Sequence, residues 1–404
     1  MMDRIRIGRT ATLIAPWILV AFPVLVWLRA WRGLPALDHC RLIACDFQVF
    51  YAQAGLLFEE PLVILPNWLY PPAAALLFAL FLPLPYGVAA AVWSVINLVL
   101  CAVLVGLCAR ALRSLGRGTG WAVALALTTL SLPVVHSVKW GQISLLLCVG
   151  VIVALLVRSS LAGGLLGLLA GLKIYPLAYL LAPLARRQWR TVTMTAASAI
   201  ALGALVPMAL LGAGPTATFF RNTLAASLRP SAGEWAAGYS SAWWGGQGIE
   251  PLLVRWFRDG GHVGLIERAP ALWFSLPPSV VTAVSILLAL GILVSTYRVL
   301  VYRNADRLHA SALVLVAVTL VVRPAWHHYF AFLPFAQAVV VGDASASRWA
   351  KALAVSSWAV AAIPVVLLGD APRLYYHYSQ WGGTTVAALL VWVSLMLPLS
   401  GKPQ

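Results

Sequence analysis

YPPAAALLFALFLPLPYGVAAAVWSVINLVLCAVLVGLCARALRSLGR, residues 70–117, is the stretch on which the fold turns. Two apolar runs, at about Leu69–Leu84 and Tyr86–Leu112, end in Arg110, Arg113 and Arg117. Crossing a bilayer takes about 20 apolar residues in a helix, so the second run is long enough to span. Further apolar segments follow at about Trp121–Val135, Ile143–Val157, Leu161–Leu172, Ile174–Ala185 and Thr191–Leu211. Five more lie at about Pro277–Thr296, Ala310–Val322, Tyr329–Val341, Ala352–Leu368 and Thr384–Leu399. An apolar run at about Thr10–Trp27 follows Arg4, Arg6 and Arg9 and reads as a retained first helix starting inside. Of the 404 residues, 62% are hydrophobic and 10% charged, and the mean hydropathy is +0.89. A soluble domain carries roughly a quarter charged residues, so an ordinary soluble globule is excluded. The expected class is an all-α polytopic membrane protein with about 10–13 transmembrane or re-entrant helices. Several segments are too short for a full span, and such broken helices survive in a membrane only where they line a protein-enclosed cavity.

The net charge of +16, from 28 Lys and Arg against 12 Asp and Glu, follows the positive-inside rule rather than nucleic-acid binding. Alternate sides place Arg158, then Arg186, Arg187 and Arg190, then Arg298, Arg303 and Arg307, then Arg348 and Lys351 inside. Counting both runs of residues 70–117 as crossings puts Arg110–Arg117 outside, against the rule, so one of the two is expected not to cross. Most carboxylates then fall outside, in a first outer loop over 29–68 and a long outer loop over 214–276. Of the five cysteines, Cys101, Cys108 and Cys148 lie in apolar spans, whereas Cys40 and Cys45 share the outer, oxidising side and can form a small loop disulfide. Their spacing matches no metal cluster.

Candidate chemistry gathers on the outer side. In CDFQVFYAQAG, Asp46 lies among aromatics, where partial desolvation raises a carboxylate's basicity, and it reads as a general base or a solvated loop acid; Asp38 is its nearest rival. Tyr70 precedes two prolines opening a span, a structural signal in itself. In HSVKWGQISLL, Lys139 can pair with a phosphate or snorkel to the interface, with Gln142 beside it. Lys173 in GLKIYPLAYLL sits between two short apolar segments; an ionisable residue at membrane depth is by default a functional group, whose partner here is an anion, the alternative being a lysine that reaches the outer headgroups. VVRPAWHHYF carries Arg323, Trp326, His327 and His328, of which one imidazole is expected to face the site. No HExxH or comparable ligand set is present, so phosphate or sugar binding is favoured over metal. Trp235, Tyr239, Trp243 and Trp244, near Gly245, Gly246 and Gln247, can stack on sugars or form an interfacial belt.

DFQVFY, YPP, GQIS, KIYP with RRQWR, and AWHHYF, in that order, resemble the bacterial alpha-mannosyltransferases of glycosyltransferase family eighty-seven. The resemblance runs from about Asp46 to Phe332, departing where Ser144 replaces the usual Asn after GQ. It implies one GT-C transmembrane domain over 1–404 in the plasma membrane. Its active site would be extracytoplasmic, taking a hexose from a polyprenyl phosphate to a glycolipid or glycan with inversion and without cofactor or metal. It implies Asp46 as base and Lys173, Trp326, His327 and His328 as substrate-binding residues, to which the local patterns add Arg323, Gln142, Lys139 and Tyr70 as substrate-binding candidates. The rival class is a transporter or flippase of lipid-linked saccharides; such proteins often show internal symmetry, which is not seen here. A noncatalytic scaffold would tolerate loss of Asp46.

Overall fold

The computed structural model describes residues 21, 25, 44–59, 62–65, 68–157, 159–228, 245–258, 261–263, 266–269, 273–303, 306–323, 325–367 and 372–397. Almost all of the expected first helix, Asp38, Cys40, Arg158 and the tryptophan-rich stretch Trp235–Trp244 lie outside them. The described chain is helical apart from one short antiparallel hairpin, β1 Gly261–Val263 with β2 Ile266–Ala269. In order come α1 Cys45–Gly55, α2 Pro72–Ala79, α3 Tyr86–Ala111, α4 Arg117–Thr129, α5 Leu132–Trp140, α6 Ser144–Leu156 and α7 Ser160–Leu172. A 3-10 turn, Tyr175–Leu180, runs into α8 Leu181–Ala185, and α9 Trp189–Ile200 continues through a π-helical turn into α10 Val206–Leu211. Then follow α11 Ala213–Leu228, α12 Ile249–Phe257, α13 Pro278–Tyr302, α14 Arg307–Val321, α15 Leu333–Gly342, α16 Arg348–Leu367, α17 Pro372–Gln380 and α18 Gly383–Met396.

Among the described residues, α3, α9–α10, α13 and α16 are long and apolar enough to cross a membrane; α4 and α5, bent by 62°, add a fifth if counted as one span. Only 17–39% of the most apolar windows of the four long spans is buried. Outward apolar side chains such as Val95 on α3 and Leu287 on α13 therefore require lipid rather than water as solvent. The short helices do the reverse. Every residue from His309 to Leu320 on α14 is buried, as is Leu333–Val340 on α15, so these form the protein-enclosed centre that the broken segments imply.

Helix starts follow local chemistry. Pro72, Pro133 and Pro278 occupy the first turns of α2, α5 and α13, where no amide donor is needed. Asp306 caps α14 by accepting from the His309 amide at 2.8 Å. Gly163, Gly167 and Gly171, one per turn of α7, bring its backbone against α9: a Cβ on Gly167 would lie 2.6 Å from the Ser198 Cβ. Small residues at this spacing allow the close helix approach that substitutes for hydrophobic driving force in lipid.

The question posed by residues 70–117 is answered by length. Helix α2 has 8 residues, about 12 Å at 1.5 Å per residue, against a hydrocarbon core of about 30 Å. It cannot cross. Helix α3, with 26 residues, can, and it carries Arg110–Arg117 to the end of the bundle remote from Tyr70. There the Ser114 hydroxyl donates to the Gly342 carbonyl at 2.7 Å, at the far end of α15 from His327 and His328. With the free thiols Cys101, Cys108 and Cys148 replaced, Arg117→Cys and Trp381→Cys are expected to react with an impermeant maleimide from opposite sides of the membrane. Labelling of both from one side would overturn this placement.

Candidate active site

Helix α1 is pinned to the end of α5. The Ala44 amide donates to the Lys139 carbonyl at 2.8 Å, and Ala44 holds a left-handed backbone, φ 64°, which costs a residue with a Cβ about 1–2 kcal/mol. Opposite lies Gly141, also left-handed at φ 64°, where a Cβ would fall 2.7 Å from the Ala44 Cβ. Its carbonyl accepts from the Trp93 indole at 2.7 Å. Cys45 is disulfide-bonded. A strained Ala44 back to back with a glycine that takes the same conformation freely, next to Asp46 and Gln142, matches the tendency of such strain to gather at functional sites. Gly141→Ala is expected to cost about 2–4 kcal/mol of stability, read as a lower melting temperature of the purified protein. An unchanged melting temperature would mean that α1 is not seated on Gly141.

From this seam a hydrogen-bonded chain crosses four segments. The Gln142 amide nitrogen donates to the Asp46 carboxylate. The Tyr70 hydroxyl donates to the Gln142 side-chain oxygen at 3.3 Å, and the Lys173 ammonium donates to the Tyr70 hydroxyl at 3.2 Å. Asp46 is half-buried in the first turn of α1. Its sequence neighbours Phe47 and Phe50 turn the other way, into a cluster with Trp68, Phe78, Phe81 and Trp93, because adjacent helical residues diverge by about 100°. The aromatics beside Asp46 in sequence thus anchor α1, while Gln142 touches the carboxylate.

Lys173 follows the last residue of α7 and is 5% exposed. Its ammonium lies 4.3 Å from the Tyr70 ring centroid, 4.1 Å from that of Tyr329 and 5.9 Å from that of Tyr175. Among the described residues no carboxylate forms an ion pair with it. Three ring faces and one hydroxyl offset part of the cost of burying a cation, and an anion is what completes the shell. Tyr175 and Tyr329, whose rings stack at 5.0 Å, escaped the sequence reading although KIYP and HHYF each display one.

Next to the cage is an imidazole cluster. His327 is engaged at both nitrogens, Nδ1 to the Thr384 hydroxyl at 2.7 Å and Nε2 to the Ser379 hydroxyl at 2.9 Å, which makes it a fastener between α17 and α18. Among the described residues His328 has no hydrogen-bond partner at either nitrogen, and neither does His136 at Nδ1; their rings are 5.4 Å apart, and His136 stacks on Trp140 at 3.9 Å. Of the adjacent pair, His328 is therefore the imidazole with capacity for a ligand. Trp326 packs against His328 at 5.5 Å and Tyr329 at 6.3 Å. Lys139 is 3% exposed, its ammonium 3.9 Å from the Trp140 ring, so it is buried rather than snorkelling.

Arg323 departs from the expectation. It is ion-paired with Glu250, itself 5% exposed, at the start of α12, because a buried carboxylate takes the nearest guanidinium rather than remain unpaired. Neighbouring groups staple the same segment. Arg255 donates to the Gly246 and Gln380 carbonyls, and the Gln247 side chain to the Ser379 carbonyl at 2.9 Å. Glu250 and Arg255 escaped notice because their partners lie far along the chain. Among the described residues no three His, Cys, Asp or Glu side chains gather as a metal site would require.

Residues 68–324 match Glycosyltransferase family 87, a span that holds Tyr70, Gln142, Lys173 and Arg323 and stops short of Asp46 and His327. The chain is also similar to a polyprenol-phosphate-mannose-dependent alpha-(1-2)-phosphatidylinositol pentamannoside mannosyltransferase of Mycolicibacterium smegmatis, 33% identical over 132 residues. That alignment spans 32% of this chain and 32% of the relative. No solved structure matches. Because the family match covers well over half of the chain, on a multi-pass helical membrane scaffold, this protein belongs to glycosyltransferase family 87.

Proposed function

We propose that this protein is a membrane glycosyltransferase that moves a hexose, mannose, from a polyprenyl-phosphate donor to a glycolipid or glycan acceptor at the extracytoplasmic face of the plasma membrane, with inversion. The whole chain, 1–404, would work as one GT-C domain, with 29–68 as its first outer loop and 214–276 as its long outer loop. The observation that carries this reading is the buried Lys173 ammonium, caged by tyrosines, without a paired carboxylate among the described residues and wired through Tyr70 and Gln142 to Asp46. A cation awaiting an anion and a carboxylate oriented by an amide are the two groups that transfer from a phosphate-activated sugar needs.

In the proposed step, Asp46 takes the proton of the acceptor hydroxyl as that oxygen bonds the anomeric carbon from the face opposite the phosphate. The anomeric carbon–phosphate oxygen bond breaks, its electron pair stays on the phosphate, and Lys173 receives the growing charge. His328 adds a second contact to donor phosphate or sugar, and Gln142 holds the carboxylate in register. Arg323, committed to Glu250, acts at the rim. The activity that the relative's name states supports mannose and a phosphoinositide-type acceptor, and the metal-free character follows the family resemblance.

The test is incubation of the protein, reconstituted in lipid vesicles, with radiolabelled polyprenyl-phosphate mannose and an extract of envelope glycolipids, alongside the glucose donor. Label moving into glycolipid from the mannose donor is expected. Movement from the glucose donor alone would overturn the sugar assignment, and an intact donor in both arms the enzymatic one.

A further inference from the structure

Gln247 is fully buried and commits its groups to three separate stretches of chain. Its amide donates to the Ala325 carbonyl, and its carbonyl accepts from the Thr385 hydroxyl at the start of α18. Its side-chain nitrogen donates to the Ser379 carbonyl of α17 at 2.9 Å. An antiparallel bridge between Gly246 and Trp326 extends the pairing with Ala325. Arg255, in the last turn of α12, donates to the Gly246 carbonyl and, at 3.1 Å, to the Gln380 carbonyl. Gly246 and Gln247 thus lie as a short clamp against Ala325 and Trp326, immediately before the two histidines.

Satisfying buried backbone groups accounts for the two main-chain bonds of Gln247 but not for its side-chain bond. The Ser379 carbonyl already accepts from the Gly382 amide at 3.1 Å, so Gln247 fills its second lone pair. What the side chain adds is a tie between segments 132 residues apart. Ser379 is the hub of that tie, because its hydroxyl is also the partner of His327 Nε2 at 2.9 Å.

The consequence falls on His328. Its ring is 1% exposed and has no hydrogen-bond partner among the described residues. An imidazole in that state is aimed by its backbone and by the rings it touches, Tyr329, His136 and Trp326, at 5.1, 5.4 and 5.5 Å. The backbone before it is what Gln247 and His327 fix. A site group works only when held to within about 0.5 Å by neighbours that are themselves locked.

We propose that Gln247 is a positioning residue for sugar transfer: without touching substrate, it holds the Ala325–His328 tract so that His328 faces the donor bound at Lys173. The inference rests on the transferase reading above.

The test is a double-mutant cycle between Gln247→Met and His328→Phe. It is read as kcat/KM for transfer from polyprenyl-phosphate mannose in lipid vesicles, with melting temperatures in parallel and a cryo-EM map of the Gln247→Met protein. Methionine keeps the volume, loses the tie to Ser379 and leaves the main-chain bonds to Ala325 and Thr385. Gln247→Met is expected to lower kcat/KM by about 10–100-fold, the scale of a misplacement of about 1 Å, and to displace the His328 ring from His136. In the His328→Phe background the same substitution should cost less than about twofold more, because residues acting as one network do not add. Thr385→Val, which removes the tie to α18, should repeat this pattern and decides the matter if Gln247→Met does not fold. Equal losses in both backgrounds would make Gln247 a structural support and overturn the inference, as would full activity with His328 in place. The ring position is read without turnover. A wild type that leaves the donor intact would therefore sink the transferase reading by itself, while a displaced His328 ring would still support the clamp and an undisplaced one overturn it.

Discussion

Asp46→Asn is expected to lower the rate of sugar transfer by about 10²–10⁴-fold, the usual contribution of a positioned base, while leaving the melting temperature unchanged. Asparagine has the shape of aspartate and keeps a side-chain oxygen for the Gln142 amide, so the contact between α1 and the segment after α5 survives. The negative charge and with it the capacity to accept a proton are lost. The assay is initial-rate transfer from radiolabelled polyprenyl-phosphate mannose by wild type and variant at matched protein. Full activity in the variant would remove Asp46 as the base and return weight to a transporter or scaffold. Loss of activity together with a lowered melting temperature would mean that the residue is structural.

Lys173→Met separates stability from activity in opposite directions. The ammonium is buried with three tyrosine rings around it and no carboxylate pairing with it among the described residues, so its desolvation is poorly offset in the unliganded protein. Methionine fills similar volume and packs well on aromatic faces, so the variant should melt at the wild-type temperature or above. Transfer should fall by about 10²–10³-fold, the cost of removing one group aimed at developing transition-state charge. Because the phosphate gains charge as the glycosidic bond breaks, the loss should fall mainly on kcat rather than on the donor KM. A KM rise with kcat intact would make Lys173 a ground-state binding group. A strongly lowered melting temperature would make the cage a structural feature.

The long outer helices were legible in the sequence because each lipid-facing helix must be apolar all round. The run from Pro277 extends to Tyr302 in α13, and that from Ala352 begins at Arg348 in α16, past the expected boundaries, since terminal polar residues reach the interface. The arginines of residues 110–117 carried the information that one preceding run does not cross, and α2 is that run. The roles of individual site residues were less legible. His327 and His328 are adjacent and chemically identical, yet one is held by Thr384 and Ser379 and the other has no hydrogen-bond partner among the described residues; nothing local to AWHHYF distinguishes them. Arg323 and Lys173 are both cations at the ends of apolar segments, and only the neighbouring Glu250 separates their fates.

By itself, then, the sequence determined the solvent, the helical class and the family. Each of these depends on composition or on the depth of a residue along its own helix, which hydropathy and charge report directly. The tertiary structure alone decided which of those residues meet. The Asp46–Gln142 contact joins positions 96 residues apart, Tyr70 and Lys173 are separated by 103, and Gln142 and Tyr70 by 72. Such contacts are set by the azimuth of each helix around its axis and by close approaches such as Ala44 on Gly141 and α7 on α9, quantities that leave almost no trace in the hydropathy of a helix surrounded by lipid and other helices alike.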